Sequence, residues 1–161
     1  MPNEHPHSRL QLANRTAAWL LGGYLAALAL IAFWPSPVDR PASGQLNGLL
    51  AALQRHGFPV WVDYSFVEGL ANVLLFIPMG LLAAWLLPRG KWWQAIVVGL
   101  VASNLIEMGQ LLFLGGRVAS VHDIMVNTLG TIIGAGAVAA HRYNAELNKW
   151  VRTALGSFHD R

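Results

Sequence analysis

The sequence predicts an all-α integral membrane bundle of four transmembrane helices, with both termini cytoplasmic and a surface amphipathic helix in the first external loop. Three observations lead there. Hydrophobic residues make up 55% of the 161 residues and charged residues only 12%, about half the charged fraction of an ordinary soluble domain. Four apolar stretches approach the roughly 20 residues that a helix needs to cross about 30 Å of hydrocarbon. Lys and Arg gather on one side of those stretches, as the cytoplasmic side of a membrane protein requires. The same composition excludes a disordered chain, and the absence of cysteine excludes a disulfide scaffold, a thiol nucleophile and a thiolate metal site. Eleven Lys and Arg scattered along the chain form no basic patch, so no nucleic-acid partner is expected.

Residues 1–15 read as a cytoplasmic segment and 16–141 as a single membrane domain, with spans at about 16–34, 66–87, 92–114 and 121–141. The first span follows Arg9 and Arg15, as a signal peptide would. Its apolar run is longer than a typical signal core, and Trp34 and Pro35 make a poor cleavage site, so a retained anchor is expected. The loop after it is the longest segment outside the spans. There Ser43 is placed to cap a helix in which Leu46, Leu49, Leu50 and Leu53 recur at helical spacing, with Gly57 as the stop. That stripe, followed by Phe58 and Trp61, suits either the outer membrane surface or packing over the helix ends. Pro88, Arg89 and Gly90 predict a tight hairpin between spans two and three, flanked by Trp92 and Trp93 at interface height. Residues 142–161 read as a cytoplasmic amphipathic tail carrying Tyr143, Leu147, Trp150 and Val151. With four spans, Arg9, Arg15, Arg89, Lys91, Arg142, Lys149, Arg152 and Arg161 share one side, against Arg40, Arg55 and Arg117 on the other. The majority side is expected to be cytoplasmic.

Within the spans, polar side chains are costly unless they face a protein interior or a wet cavity. Glu68 and Asn72 lie at i, i+4 near the outer end of span two. Asn104, Glu107 and Gln110 occupy the last third of span three, and His122, Asp123, Asn127 and Thr128 open span four. At about 1.5 Å per residue, all of them fall within roughly 15 Å of the outer boundary. A polar cluster opening outward is expected, with Arg117 at its rim. Taken singly, Asn104 and Thr128 are expected to hydrogen-bond across helices as glue. Gly130 and Gly134, Gly99 and Ser103, and Gly80 and Ala84 are spaced for close helix packing. Pro78 predicts a kink just below the cluster, because it removes a donor and crowds the carbonyl of Leu74.

The run Glu68-Gly-Leu-Ala-Asn72-Val-Leu-Leu-Phe76-Ile-Pro78-Met-Gly80, then Glu107-Met-Gly-Gln110, Arg117, and Asp123-Ile-Met-Val-Asn127-Thr-Leu-Gly130, resembles the VanZ-like family. The resemblance implies a small multi-span protein of the bacterial envelope, in the cytoplasmic (inner) membrane, and the family's name-giving member is associated with teicoplanin resistance. It implies that Glu68, Asn72, Glu107, Gln110, Arg117, Asp123 and Asn127 correspond to the family's characteristic polar positions. Many relatives carry further acids where this chain has Ser120 and His122, and that departure weakens any mechanism needing an acidic loop.

Two classes of function fit these residues. In the first, a non-enzymatic envelope factor binds an amphiphile: a membrane lipid, a lipid-linked envelope precursor or a lipoglycopeptide. Arg117 is then the anion contact, Glu107 and Asp123 the acceptors, and Asn72, Gln110 and Asn127 the orienting amides. The alternative is an enzyme acting on a lipid-linked substrate, for which Glu68, Glu107, His122 and Asp123 offer Mg²⁺, Mn²⁺ or Zn²⁺ ligand types. His122 points about 100° from Asp123 on an ideal helix, and no HExxH pattern exists, so the binding role is favoured, with no metal and no cofactor. A transporter would need a polar path through the inner leaflet, which the spans lack. Nothing in the sequence sets an oligomeric state.

Overall fold

The computed structural model describes residues 6–34, 40–114 and 120–159. They form five helices and no strand: α1 (Pro6–Ala32), α2 (Arg40–Arg55), α3 (Tyr64–Leu86), α4 (Trp93–Phe113) and α5 (Val121–His159). Stretches of α1, α3, α4 and α5, namely Gln11–Ala32, Tyr64–Leu86, Trp93–Phe113 and Val121–Leu155, are long and apolar enough to cross a membrane. The protein is thus a multi-pass membrane-type bundle.

The helix ends follow local chemistry. Asp63 caps α3 by accepting from the amide of Phe66 at 2.9 Å, which starts the helix two residues before the expected Phe66. Between α3 and α4 the amide of Lys91 donates to the carbonyl of Pro88, and Gly90 at φ 84° takes the left-handed position that closes the turn. Ser43 does not cap α2: the helix already begins at Arg40, because Pro41 suits a first turn whose amides need no helical partner. Its end is as expected. Gly57 sits at φ 94°, its amide donates to Gln54, and the amide of Phe58 reaches back to Leu53, a Schellman closure that needs a left-handed residue.

The packing of α2 divides its leucine stripe. Leu50 is buried and Leu46 half-buried toward the bundle, whereas Leu49 and Leu53 stay exposed beside exposed Phe58, Val60 and Trp61. The Gln54 amide donates to the carbonyls of Val60 and Val62, tying the end of α2 to the connection into α3.

The centre of the bundle is built from small residues. At Gly130 and Gly134 of α5, an added Cβ would collide with the carbonyl oxygens of Val73 and Ile77 in α3; at Gly80 of α3 it would strike the backbone of Thr131. Gly99 of α4 meets the side chain of Thr131 from the other flank, so α5 lies between α3 and α4. Ala83, Ala84, Ala95, Ala135 and Val138 form one buried cluster, and Leu28, Phe76 and Met79 another. Most larger aliphatic side chains point outward. This suits a lipid surround, where burial of leucine gives little driving force and close backbone contact matters more. α3 continues through Pro78 as one helix of 23 residues.

α1 packs lightly, with only Ala17 and Leu28 fully buried among its described side chains. The Tyr24 hydroxyl donates to the carbonyl of Leu75 in α3, next to the Leu74 carbonyl that Pro78 deprives of its helical donor. Tyr24→Phe removes that bond and is expected to cost about 0.6–1.7 kcal/mol, read as a lower melting temperature in detergent with helix content unchanged.

At the other end of the bundle, α5 runs on without a break through residues 142–159, the segment that the sequence assigns to an amphipathic tail. Its 39 residues span about 58 Å, well beyond a bilayer core. Arg142 anchors this continuation, donating to the carbonyls of Leu87 and Trp85 at 3.1 and 2.8 Å and lying 6.0 Å from the Trp85 ring centre. A guanidinium there satisfies orphan carbonyls at the negative end of α3. The exposed pair Arg89 and Glu146, 3.6 Å apart, adds little.

Candidate functional site

Glycine-mediated contact between α3 and α5 fixes how their polar faces meet. Glu68 and Asn72 lie one turn apart on α3, and Asp123 and Asn127 one turn apart on α5. On α4 the buried face runs through Gly99, Ser103 and Glu107, four residues apart, and continues to Gln110. All six polar residues line one cavity of about 360 Å³. Its apolar wall includes Leu28 and Ile31 of α1, Leu46 of α2, Leu75 and Phe76 of α3, and Ile106 of α4. Arg117, the seventh residue expected from the sequence, lies outside the described residues together with Gly115 and Gly116.

A chain of hydrogen bonds ties the three helices together beside the cavity. The Glu107 side chain, 5% exposed, accepts from the backbone amide of Ser120 at 2.8 Å. Ser120 caps α5, its hydroxyl accepting from the amide of Asp123 at 3.2 Å. The Asn72 amide nitrogen lies 3.5 Å from an Asp123 carboxylate oxygen. A carboxylate on α4 therefore holds the start of α5, and the start of α5 holds the carboxylate that faces α3.

The remaining amides are deeply engaged. Gln110 donates at 2.8 Å to the carbonyl of Ala32, capping the end of α1, where the ring of Phe33 covers Gly109. Asn127, 5% exposed, donates at 2.9 Å to the Ser103 hydroxyl, and its backbone carbonyl accepts from the Thr131 hydroxyl. Its side-chain oxygen is buried without a hydrogen-bond partner.

Several expected roles change. Asn104 is exposed and donates to Leu100 of its own helix, and the Thr128 hydroxyl donates to Ile124 in the same way, so neither is seen to glue helices together. For both, the carbonyl one turn back is the nearest acceptor. The imidazole of His122 is 61% exposed, rests over Gly69 and approaches the Asp123 carboxylate at 3.5 Å from outside the cavity lining. Among the described residues, no three His, Asp or Glu side chains are grouped to hold a metal ion.

Sequence reasoning overlooked Ser103 and Ser120 as working polar groups. Both had a signal: Ser103 lies four residues before Glu107 on one helical face, and Ser120 lies three before Asp123, the spacing of an N-cap and its amide. The contributions of Leu28, Ile31 and Leu46 had none, since any apolar residue of α1 or α2 would have read alike.

The VanZ/LLP1 family model matches residues 21–142, from within α1 to Arg142, and so takes in every polar residue of the cavity. Among curated proteins and solved structures, none matches the chain.

Proposed function

The chain belongs to the VanZ-like family, and from that premise we propose that it binds an amphiphile of the cell envelope in the cavity between α1, α3, α4 and α5. The observation that supports this reading is the lining itself: six polar side chains from three helices together with aliphatic and aromatic side chains of α1, α2, α3 and α4. A molecule with a polar head and an acyl chain matches a lining of this mixed character. Orientation follows the Lys and Arg distribution, with both termini cytoplasmic, the protein in the inner membrane and the polar end of the bundle facing outward. In that orientation Leu49, Leu53, Phe58, Val60 and Trp61, all exposed around α2, rest in the outer interface, while Leu46 covers the cavity.

Glu68, Glu107 and Asp123 supply acceptors for the head, Asn72, Gln110 and Asn127 shape the polar wall, and Arg117 is the anion contact. Candidate occupants are a membrane lipid, a lipid-linked wall precursor and a teicoplanin-type lipoglycopeptide; the last would link the cavity to glycopeptide susceptibility. A metal-dependent enzyme gains no support from the described side chains.

The test uses vesicles of phosphatidylethanolamine, phosphatidylglycerol and cardiolipin. Parent protein and a Glu107→Gln, Asp123→Asn double variant are extracted in mild detergent, and retained lipid is counted by native mass spectrometry. The parent is expected to keep a lipid through delipidation, with occupancy at least about tenfold lower in a folded variant, since charged hydrogen bonds contribute roughly 1.5–3 kcal/mol each and the neutral amides keep only part of that. Equal retention would overturn the reading.

A further inference from the structure

We propose that the end of the bundle opposite the polar cavity carries a second binding site, a groove between α1 and α3 that holds an acyl chain of an anionic phospholipid, with the lipid phosphate between Arg9 and Arg142. On the orientation that the Lys and Arg distribution gives, this is the cytoplasmic leaflet. The site does not rest on the reading of the polar cavity. The groove has a volume of about 490 Å³. Ala13, Thr16 and Ala17 line it beside the larger Leu12 and Leu20, facing Leu82 and Trp85 of α3, so small side chains on α1 leave the trough. Thr16 donates its hydroxyl to the carbonyl of Leu12 in its own helix at 3.0 Å, which suits a lining that meets a hydrocarbon chain. Residues 12–20 carry the groove along α1 for about 12 Å. Leu12, Leu20 and Trp85 are exposed, so it is open to the bilayer.

The charge at the mouth of the groove selects the occupant. Trp85 lines the groove, and the guanidinium carbon of Arg142 lies 6.0 Å from its ring centre. That guanidinium donates once from each terminal nitrogen, to the carbonyls of Leu87 and Trp85, and has further N–H groups to offer a phosphate. On α1, Arg9 falls four residues before Ala13 and seven before Thr16, on the helical face that forms the groove. Among the described residues of this end, Arg15, Arg89, Lys91, Lys149 and Arg152 add positive charge, and the single acid, Glu146, is paired with Arg89. Arginine binds phosphate oxygens through charge-assisted hydrogen bonds. A head without an amine keeps its net negative charge there, whereas phosphatidylethanolamine would bring a further ammonium into a basic region. The cytoplasmic leaflet supplies anionic heads at this depth.

A groove open to the bilayer exchanges its lipid, so it is read in nanodiscs rather than after extraction into detergent. The full-length protein is photolysed with phosphatidylglycerol or phosphatidylethanolamine carrying a diazirine in the acyl chain, and labelled peptides are mapped by mass spectrometry. Phosphatidylglycerol is expected to label residues 12–20 and 82–85 at least about fivefold more than phosphatidylethanolamine, with the difference narrowing in about 1 M salt. Arg9→Gln and Arg142→Gln, the second of which keeps an amide donor for the carbonyls of α3, are each expected to lower phosphatidylglycerol labelling about fivefold. Ala13→Phe, at an exposed position, fills the trough and is expected to reduce labelling there by both lipids. Equal labelling by the two lipids overturns the choice of head, and unchanged labelling in folded Arg9→Gln and Arg142→Gln proteins overturns the role of the arginines. Label spread evenly over the lipid-facing helices, or an Ala13→Phe protein that labels like the parent, overturns the groove itself. If the pattern holds while the outer cavity retains no lipid, this inference stands and only the reading of that cavity falls.

Discussion

Replacing Gly134 with valine is expected to abolish the native packing of α3 against α5, with loss of folded protein at physiological temperature. A Cβ at Gly134 would strike the carbonyl oxygen of Ile77 and the amide of Leu81, both backbone atoms that no rotamer change can move. The helices would have to separate along a seam that also holds Gly80 and Gly130, each against the other helix's backbone. Overpacking a fitted core typically costs about 1–3 kcal/mol when side chains can yield, and the cost here should exceed that range because none can. Because that seam sets the register of Glu68 and Asn72 against Asp123 and Asn127, the cavity is lost with it. Gly136 is the internal control: two residues further along α5, an added Cβ meets nothing within 4 Å. Gly136→Ala should keep or slightly raise stability, since alanine is favoured over glycine within a helix by up to about 1 kcal/mol. Thermal unfolding in detergent compares the pair; equal melting temperatures would show that the close approach at Gly134 is not needed.

Truncating Glu107 to alanine should loosen the start of α5 and lower stability by about 1–3 kcal/mol, through the loss of an acceptor for a partly buried amide. Its carboxylate holds the amide of Ser120, the Ser120 hydroxyl holds the amide of Asp123, and the Asp123 carboxylate faces Asn72. Faster hydrogen exchange is therefore expected across the first turn of α5, beyond the single amide that loses its partner. Glu107→Gln separates structure from charge. Its amide oxygen can still accept from Ser120, so exchange and melting should stay near those of the parent while amphiphile retention falls. Identical exchange in the alanine variant and the parent would mean that Glu107 does not organise the cap of α5.

Much of this was legible before any fold was known. The four apolar stretches, the hairpin at Gly90 and the stop at Gly57 follow from local composition and backbone preference. So did the convergence of six polar positions on one end of the bundle, because helical spacing and depth along a span are simple functions of residue number. Asn104 shows the limit: it shares the depth of Glu107 but points away, and depth alone says nothing of rotation about the helix axis. His122 was separated from Asp123 correctly by that rotation. The start of α2 was misplaced because Ser43 offers a credible cap, while Pro41 is equally at home inside a first turn.

The amino-acid sequence by itself determined a membrane-type helical bundle of the VanZ-like family and the end of it where polar groups collect. Only the tertiary structure decided how those groups are engaged: Gln110 donates to the end of α1, and Asn127 donates to Ser103 while its side-chain oxygen is buried without a partner. It also decided that Leu46 faces inward while Leu49 does not, and that α5 continues as a helix past Arg142. Hydropathy and periodicity are properties of one segment at a time, whereas the use of a donor depends on how two helices are rotated and how closely they approach. That distance is set here by glycines pressed against a neighbouring backbone.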